Sequence, residues 1–148
     1  MKKEYALTDI EAAQKAETLR NKLVDKKTDF TFETVLSTER NLLLLKRAKE
    51  NDYEVHCIYV LTCNADINVA RVRSRVCEGG HDVPEEKIRS RYVKALKLLP
   101  QIIDICDKIF IYDNSIMPSV IYKKDKNGSG YFPTDIWPLK KLKELLKR

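Results

Sequence analysis

Glycine is scarce in this chain: Gly79, Gly80, Gly128 and Gly130 are the full set, and none is followed by Lys-Ser or Lys-Thr. That excludes a GxxxxGK[ST] loop, whose backbone donors and lysine hold the β- and γ-phosphates of a nucleotide. Cys57, Cys63, Cys77 and Cys106 contain no CxxC pair, and neither His56 nor His81 has a metal-ligand partner at usable spacing. A protein-only metal site is therefore not expected, and buried free thiols in a reducing cytoplasm are. No apolar run approaches the roughly 20 residues needed to span a bilayer. The N-terminus, MKKEYALTDI, has two lysines with no apolar stretch behind them, which argues against a secretory signal.

What is present is the composition of an ordinary globular domain. The 148 residues are 43% hydrophobic and 34% charged, enough to bury a core as a single domain over residues 1–148. The net charge of +6 owes much to the tail, Pro138 to Arg148, PLKKLKELLKR. Leu139, Leu142, Leu145 and Leu146 form an apolar stripe there, so the tail reads as a basic amphipathic helix docked on its own domain. A membrane-surface or nucleic-acid role has only that helix behind it, and no aromatic-interleaved basic motif supports nucleic acid.

Along the chain, helix and strand patterns alternate. Thr8 and Glu11 form a capping box for a helix to about Asp25, with Ile10, Ala13, Ala16, Leu19, Leu23 and Val24 as its apolar positions. Asp29 to Thr34, DFTFET, alternates and predicts a strand. Ser37 or Thr38 then caps a helix to about Glu50. Glu54 to Leu61 and Lys108 to Asp113 read as buried strands, Ser119 to Lys123 as an edge strand, and Lys124 to Gly130 as a hairpin turn. Strands separated by helices predict an α/β fold with a mostly parallel sheet and helices on its faces.

The most distinctive stretch runs from Asn68 to Tyr92, NVARVRSRVCEGGHDVPEEKIRSRY. Val69, Val72 and Val76 share one helical stripe, and Arg71 and Arg75 another at i, i+4. Gly79-Gly80 stops the first helix, and Asp82, Pro84 and Glu85 predict the start of a second. The pair forms a lid-like helical hairpin over about residues 66–99. Its guanidinium groups and His81 repel one another unless they meet anions or pair with Glu78, Glu85 and Glu86 as a solvated basic face.

In open α/β sheets ligands sit beyond the carboxyl ends of strands. That rule singles out Glu33 with Thr34, the Thr62–Asn64 segment, and Asp113-Asn114-Ser115, of which Asp113 is also a turn former. A carboxylate at a strand end, hydroxyls at a helix start and nearby arginines make a phosphate-handling crevice.

FTFETVLST, YEVHCIYVLT, INVARVRSRVCEGGHDVPEEKIRSRY and IYDNS together resemble the zeta-toxin-like branch of P-loop kinases, also catalogued as predicted ABC-type ATPases, over about Asp9 to Ser115. The resemblance implies a partial P-loop NTPase, nucleoside-monophosphate-kinase-like core that uses ATP and Mg2+ to phosphorylate a hydroxyl of a nucleotide or nucleotide sugar. In zeta toxins that hydroxyl belongs to a UDP-activated amino sugar. By motif, Glu33 resembles the substrate-binding acid, with Thr34, Arg71 and His81 beside it on the substrate side. His81 lies where zeta toxins place an arginine. Arg75 resembles the arginine on the helix leading into the lid, and Arg89 and Arg91 its exit-side basic residues. As catalytic groups in that chemistry, each arginine contributes about 10³-fold or more in rate. The P-loop, the strand before it and the aspartate base precede this region in the family. The sequence thus reads as a fragment, a truncated gene product or a degenerate paralogue. Loss of a central strand predicts a rearranged sheet or a homodimer through the exposed sheet edge. A non-catalytic phosphate- or nucleotide-binding module and a basic nucleic-acid-binding protein are the alternatives.

Overall fold

The computed structural model describes residues 8–147. Helix α1 (Asp9–Asp25) starts at the expected capping box: Glu11 N–H donates to Thr8 Oγ1 at 3.3 Å, and Thr8 N–H to Glu11 Oε2 at 2.9 Å. These bonds to Thr8 hold the Glu11 carboxyl below its ordinary pKa. The helix's apolar stripe is only partly covered. Val24 is fully buried, whereas Ile10 and Leu19 are 71% and 57% exposed.

Residues 29–34 form no strand, contrary to the alternation of DFTFET. Aromatic packing holds them instead. The Phe30 and Phe32 rings stack 6.1 Å apart, Phe30 meets Tyr53 edge-on, and the Arg20 guanidinium lies 5.1 Å from the Phe32 centroid. Leu36, with φ at +50°, then turns the chain out of any extended run and places its own side chain in the core. Helix α2 (Glu39–Glu50) follows, with Thr38 at its N-cap but no side-chain cap bond.

Among the described residues four strands make the sheet: β1 (His56–Leu61), β2 (Lys108–Asp113), β3 (Ser119–Asp125) and β4 (Gly128–Tyr131), in the order β1-β2-β3-β4. Only β1 and β2 are parallel, in register from His56↔Lys108 to Leu61↔Asp113; the other two pairings are antiparallel. The sheet is mixed, which corrects the mostly parallel expectation. Short connections cause this, because a parallel return needs a crossover of a dozen or more residues. The helices α3 (Ala65–Cys77) and α4 (Glu85–Ile105) supply such a crossover between β1 and β2, and nothing comparable lies beyond β2. Strand β3 is accordingly interior, not the expected edge.

Helix α4 begins at Pro84 with no side-chain cap. Neither Asp82 nor a Glu85 capping box starts it, because the Glu85 carboxylate is engaged by Arg73 and Arg89. The helix also passes through Pro100 without restarting; Leu99, Ile102 and Ile103 around it are buried, and that packing outweighs the lost backbone bond. Leu99 and Ile102 meet Ile109 and Ile111 of β2, Ile121 of β3 and Trp137 in one core. Helix α5 (Leu139–Leu145) joins it through the fully buried Leu142. Among the described residues, no helix is long and apolar enough to cross a membrane.

Candidate functional site

With β1 at the end of the strand order, its outer edge is unpaired among the described residues. The strand reads HCIYVL, with Tyr59 and Leu61 buried and Ile58 and Val60 74% and 58% exposed. A cleft of about 460 Å³ runs along this edge, closed on the far side by Thr34, Val35 and Leu36 and roofed by α3 and α4. Its volume falls within the roughly 300–1,000 Å³ typical of small-molecule sites.

The carboxyl ends of β1 and β2 are tied together at one end of the two strands. Ser115 Oγ donates to Asp113 Oδ1 at 2.5 Å and accepts from Cys63 N–H at 2.8 Å. Asp113 is 3% exposed and spends its carboxylate on this turn, the structural role open to it in the sequence. Thr62 Oγ1 lies 2.9 Å from Asn64 O and 3.1 Å from Asn68 Oδ1. Asn64 in turn caps α3, accepting from Ile67 N–H at 3.2 Å. Tyr92 on α4 donates to Thr62 O at 2.9 Å, fixing α4 against the strand end. Burial raises the Tyr92 phenol above its ordinary pKa, so it stays protonated as a donor.

The arginines sort into two groups. Arg73 and Arg89 face acids: Arg73 Nη2 lies 2.6 Å from Glu85 Oε2, and Arg89 Nη2 lies 2.8 Å from Glu85 Oε1 and 2.7 Å from Asp66 Oδ1. The hydrogen bond from Arg89, aided by Arg73, holds the Glu85 carboxyl below its ordinary pKa, and the Glu85 and Asp66 bonds raise that of Arg89. Arg71, Arg75 and Arg91 line the cleft. Arg71 Nη2 donates to Asn114 O at 2.7 Å and Arg75 Nη2 to His81 O at 3.2 Å, both neutral acceptors. Arg91 is half-buried and makes no hydrogen bond or ion pair among the described residues.

Of the residues singled out in the sequence, Thr34, Arg71, Arg75 and Arg91 meet in this cleft. Glu33 is exposed beside Thr34, outside the cleft lining, and His81 offers its backbone carbonyl to Arg75. Arg89 is turned to Asp66 and Glu85. Asn68 and Thr62 also line the cleft, with Tyr92 beside them. Tyr92 reads in the sequence only as part of a buried stripe; its position four residues after Ile88 gave no sign of the bond to Thr62.

The described residues contain neither a glycine-rich phosphate loop nor a metal site built from protein ligands alone. No glycine precedes a Lys-Ser or Lys-Thr, and no group of three or more His, Cys, Asp or Glu among the described residues is placed to hold a metal ion.

A protein of Haemophilus influenzae described as uncharacterized is 36% identical over 86 residues, which are 58% of this chain and 61% of that relative. The chain thus spans less than two thirds of that relative's length. No solved structure matches the chain. The family described as Zeta toxin matches residues 1–127, and the mixed sheet with its flanking helices is consistent with a P-loop NTPase-like fold. With most of its length matched, the chain belongs to the zeta toxin family.

Proposed function

We propose that the cleft beside β1 binds a phosphate-bearing substrate, a nucleotide or nucleotide sugar, as the acceptor side of an ATP-dependent phosphotransferase. One observation carries this reading. The guanidinium groups of Arg71, Arg75 and Arg91 meet no carboxylate among the described residues, whereas those of Arg73 and Arg89, outside the cleft, do. Cations left uncompensated around a half-enclosed cleft favour an anion, and guanidinium forks suit phosphate. Ile58, Val72 and Ile88 give the same cleft apolar walls for the rest of a ligand. Family membership supports a kinase-like or ATPase activity. Arg75 and Arg91 are then the groups nearest the transferred phosphoryl, with Arg71 and Thr34 on the substrate.

Phosphoryl transfer from ATP also needs a glycine-rich phosphate loop with its lysine, which these 148 residues do not contain. That favours a second reading for this chain taken alone: binding of the anionic acceptor without turnover. Calorimetry with a UDP-linked amino sugar tests both. Saturable binding lost in the Arg75→Ala/Arg91→Ala double variant supports the site, and ATP-dependent phosphorylation of the sugar separates the two readings. Absence of binding overturns both. The free thiols of Cys57, Cys63, Cys77 and Cys106 fit a cytoplasmic setting for either.

A further inference from the structure

We infer that Asn41, which lies outside the cleft, fixes the Thr34 hydroxyl as an outward hydrogen-bond donor to an anion in it. The inference rests on the proposed anion cleft and deepens it.

A threonine hydroxyl has two acceptor lone pairs and one donor proton. Both acceptor positions of Thr34 Oγ1 are taken: Asn41 Nδ2 donates to it at 2.8 Å and Leu36 N–H at 3.3 Å. The proton has no acceptor among the described residues, and Thr34 lines the cleft. The hydroxyl therefore has one remaining capacity on that side, to donate. It suits a phosphate or carboxylate oxygen and disfavours an ammonium or another donor.

The polarity of this lock depends on which way the Asn41 amide faces. On its other side Asn41 lines a small cavity of about 160 Å³ together with Arg20, Arg40 and Arg47. Guanidinium groups there favour the amide oxygen turned toward them, which leaves Nδ2 for Thr34. Nearby acids offset two of these three charges and leave that of Arg20. Glu17 pairs with Arg40 and Asp25 with Arg47, while Arg20 stacks on Phe32 without a carboxylate partner among the described residues. The chain of orientation runs from Arg20 through Asn41 to Thr34 and into the cleft. Asn41 is thus a positioning residue.

The test is pyrophosphate affinity of the full chain by calorimetry, for wild type, Thr34→Val, Thr34→Ser, Asn41→Leu and Thr34→Val/Asn41→Leu, with Arg91→Ala as the control for the cleft itself. Loss of a hydrogen bond to a charged group predicts about tenfold or greater weakening in Thr34→Val, and near wild-type affinity in Thr34→Ser. Asn41→Leu weakens binding in the Thr34 background and adds nothing once Thr34 is valine. A purely structural Asn41 gives equal losses in both backgrounds, which overturns the inference. So does Thr34→Val with unchanged affinity while Arg91→Ala weakens binding; the anion cleft survives that outcome. Wild type that binds no pyrophosphate overturns the cleft and the inference together. A melting temperature measured for each variant separates loss of fold from loss of the donor.

Discussion

Arg89 and Arg91 sit two positions apart on α4 and face opposite surroundings. Arg89 is clamped by Glu85 and Asp66, while Arg91 lines the cleft without an ion pair among the described residues. A separation of two residues turns a helix by roughly 200°, so adjacent arginines in RSR cannot serve one face. The consequence is a division of labour. Arg91→Ala should weaken binding of a UDP-linked amino sugar about tenfold or more, with little change in melting temperature. Arg89→Ala should leave that affinity within about twofold and act on the α3–α4 pairing, by the small amount typical of exposed ion pairs. Calorimetry and thermal melts on the two variants check this; equal affinity losses would contradict it.

Gly80 places Arg75. A Cβ at Gly80 would come within 2.5 Å of Arg75 Cγ and 2.8 Å of its carbonyl oxygen, which also accepts from Gly80 N–H. Gly80→Ala should therefore displace Arg75 and the turn, destabilise by about 1–3 kcal/mol, and lower anion affinity together with stability. A variant with unchanged melting and binding would show that the turn adapts.

Asp107 staples three elements. Its Oδ2 accepts from Val55 N–H at 2.7 Å, just before β1, and both of its oxygens lie 2.7 Å from Lys49 Nζ on α2. Burial alone would raise its pKa; the Lys49 and Val55 bonds outweigh it and hold the carboxyl below the ordinary value. A depressed carboxylate contributes stability fully above its unfolded pKa of about 3.9 and loses it as pH falls through the lower folded value. Asp107→Asn should therefore destabilise at neutral pH, by about 1 kcal/mol after discounting for its partial exposure. The gap should close in strong acid. Melts across pH 2–7, read as a difference between the two proteins, give the result directly; a pH-independent gap would rule out the ionised pair as its cause.

Among the described residues strand β1 has an unpaired edge with no lysine, proline or glycine in it, and Ile58 and Val60, which line the cleft beside it, are exposed. Natural edges usually carry such guards against pairing with another chain. We propose that this edge pairs with a second copy when nothing else occupies it. Light scattering across a concentration series should show dimer, shifted toward monomer by Ile58→Lys. Monomer at every concentration, in a properly folded sample, would contradict the proposal.

Much of this fold was legible because local chemistry decided it. The Thr8–Glu11 box and the KIFIYD strand follow from residues close in sequence, and so does the reversal after β3, although Gly128 to Gly130, expected within the turn, belong to β4. DFTFET departs from its alternation for a physical reason: alternation marks a two-faced segment, but a strand also needs a neighbour, and here Phe30 packs on Phe32 and on Tyr53 instead. The α1 stripe likewise shows helical period without showing what covers it, and Ile10 and Leu19 remain exposed. In the cleft, the arginines announced themselves by number. Their sorting did not, since it depends on which carboxylates fold against them, Asp66 across from α4 above all. Asn41 gave no signal, because its role comes from lying between Thr34 and an arginine-lined cavity.

The most direct measurement is a titration of the full, isotope-labelled chain with a UDP-linked amino sugar, followed by backbone amide and arginine side-chain NMR signals. The account predicts saturable shifts concentrated at Thr34 to Leu36, the α3 arginines Arg71 and Arg75, and Arg91, with α5 unmoved. Shifts confined to the basic α5 surface, or a spectrum unchanged at millimolar ligand, would contradict the assignment of the cleft as an anion-binding acceptor site.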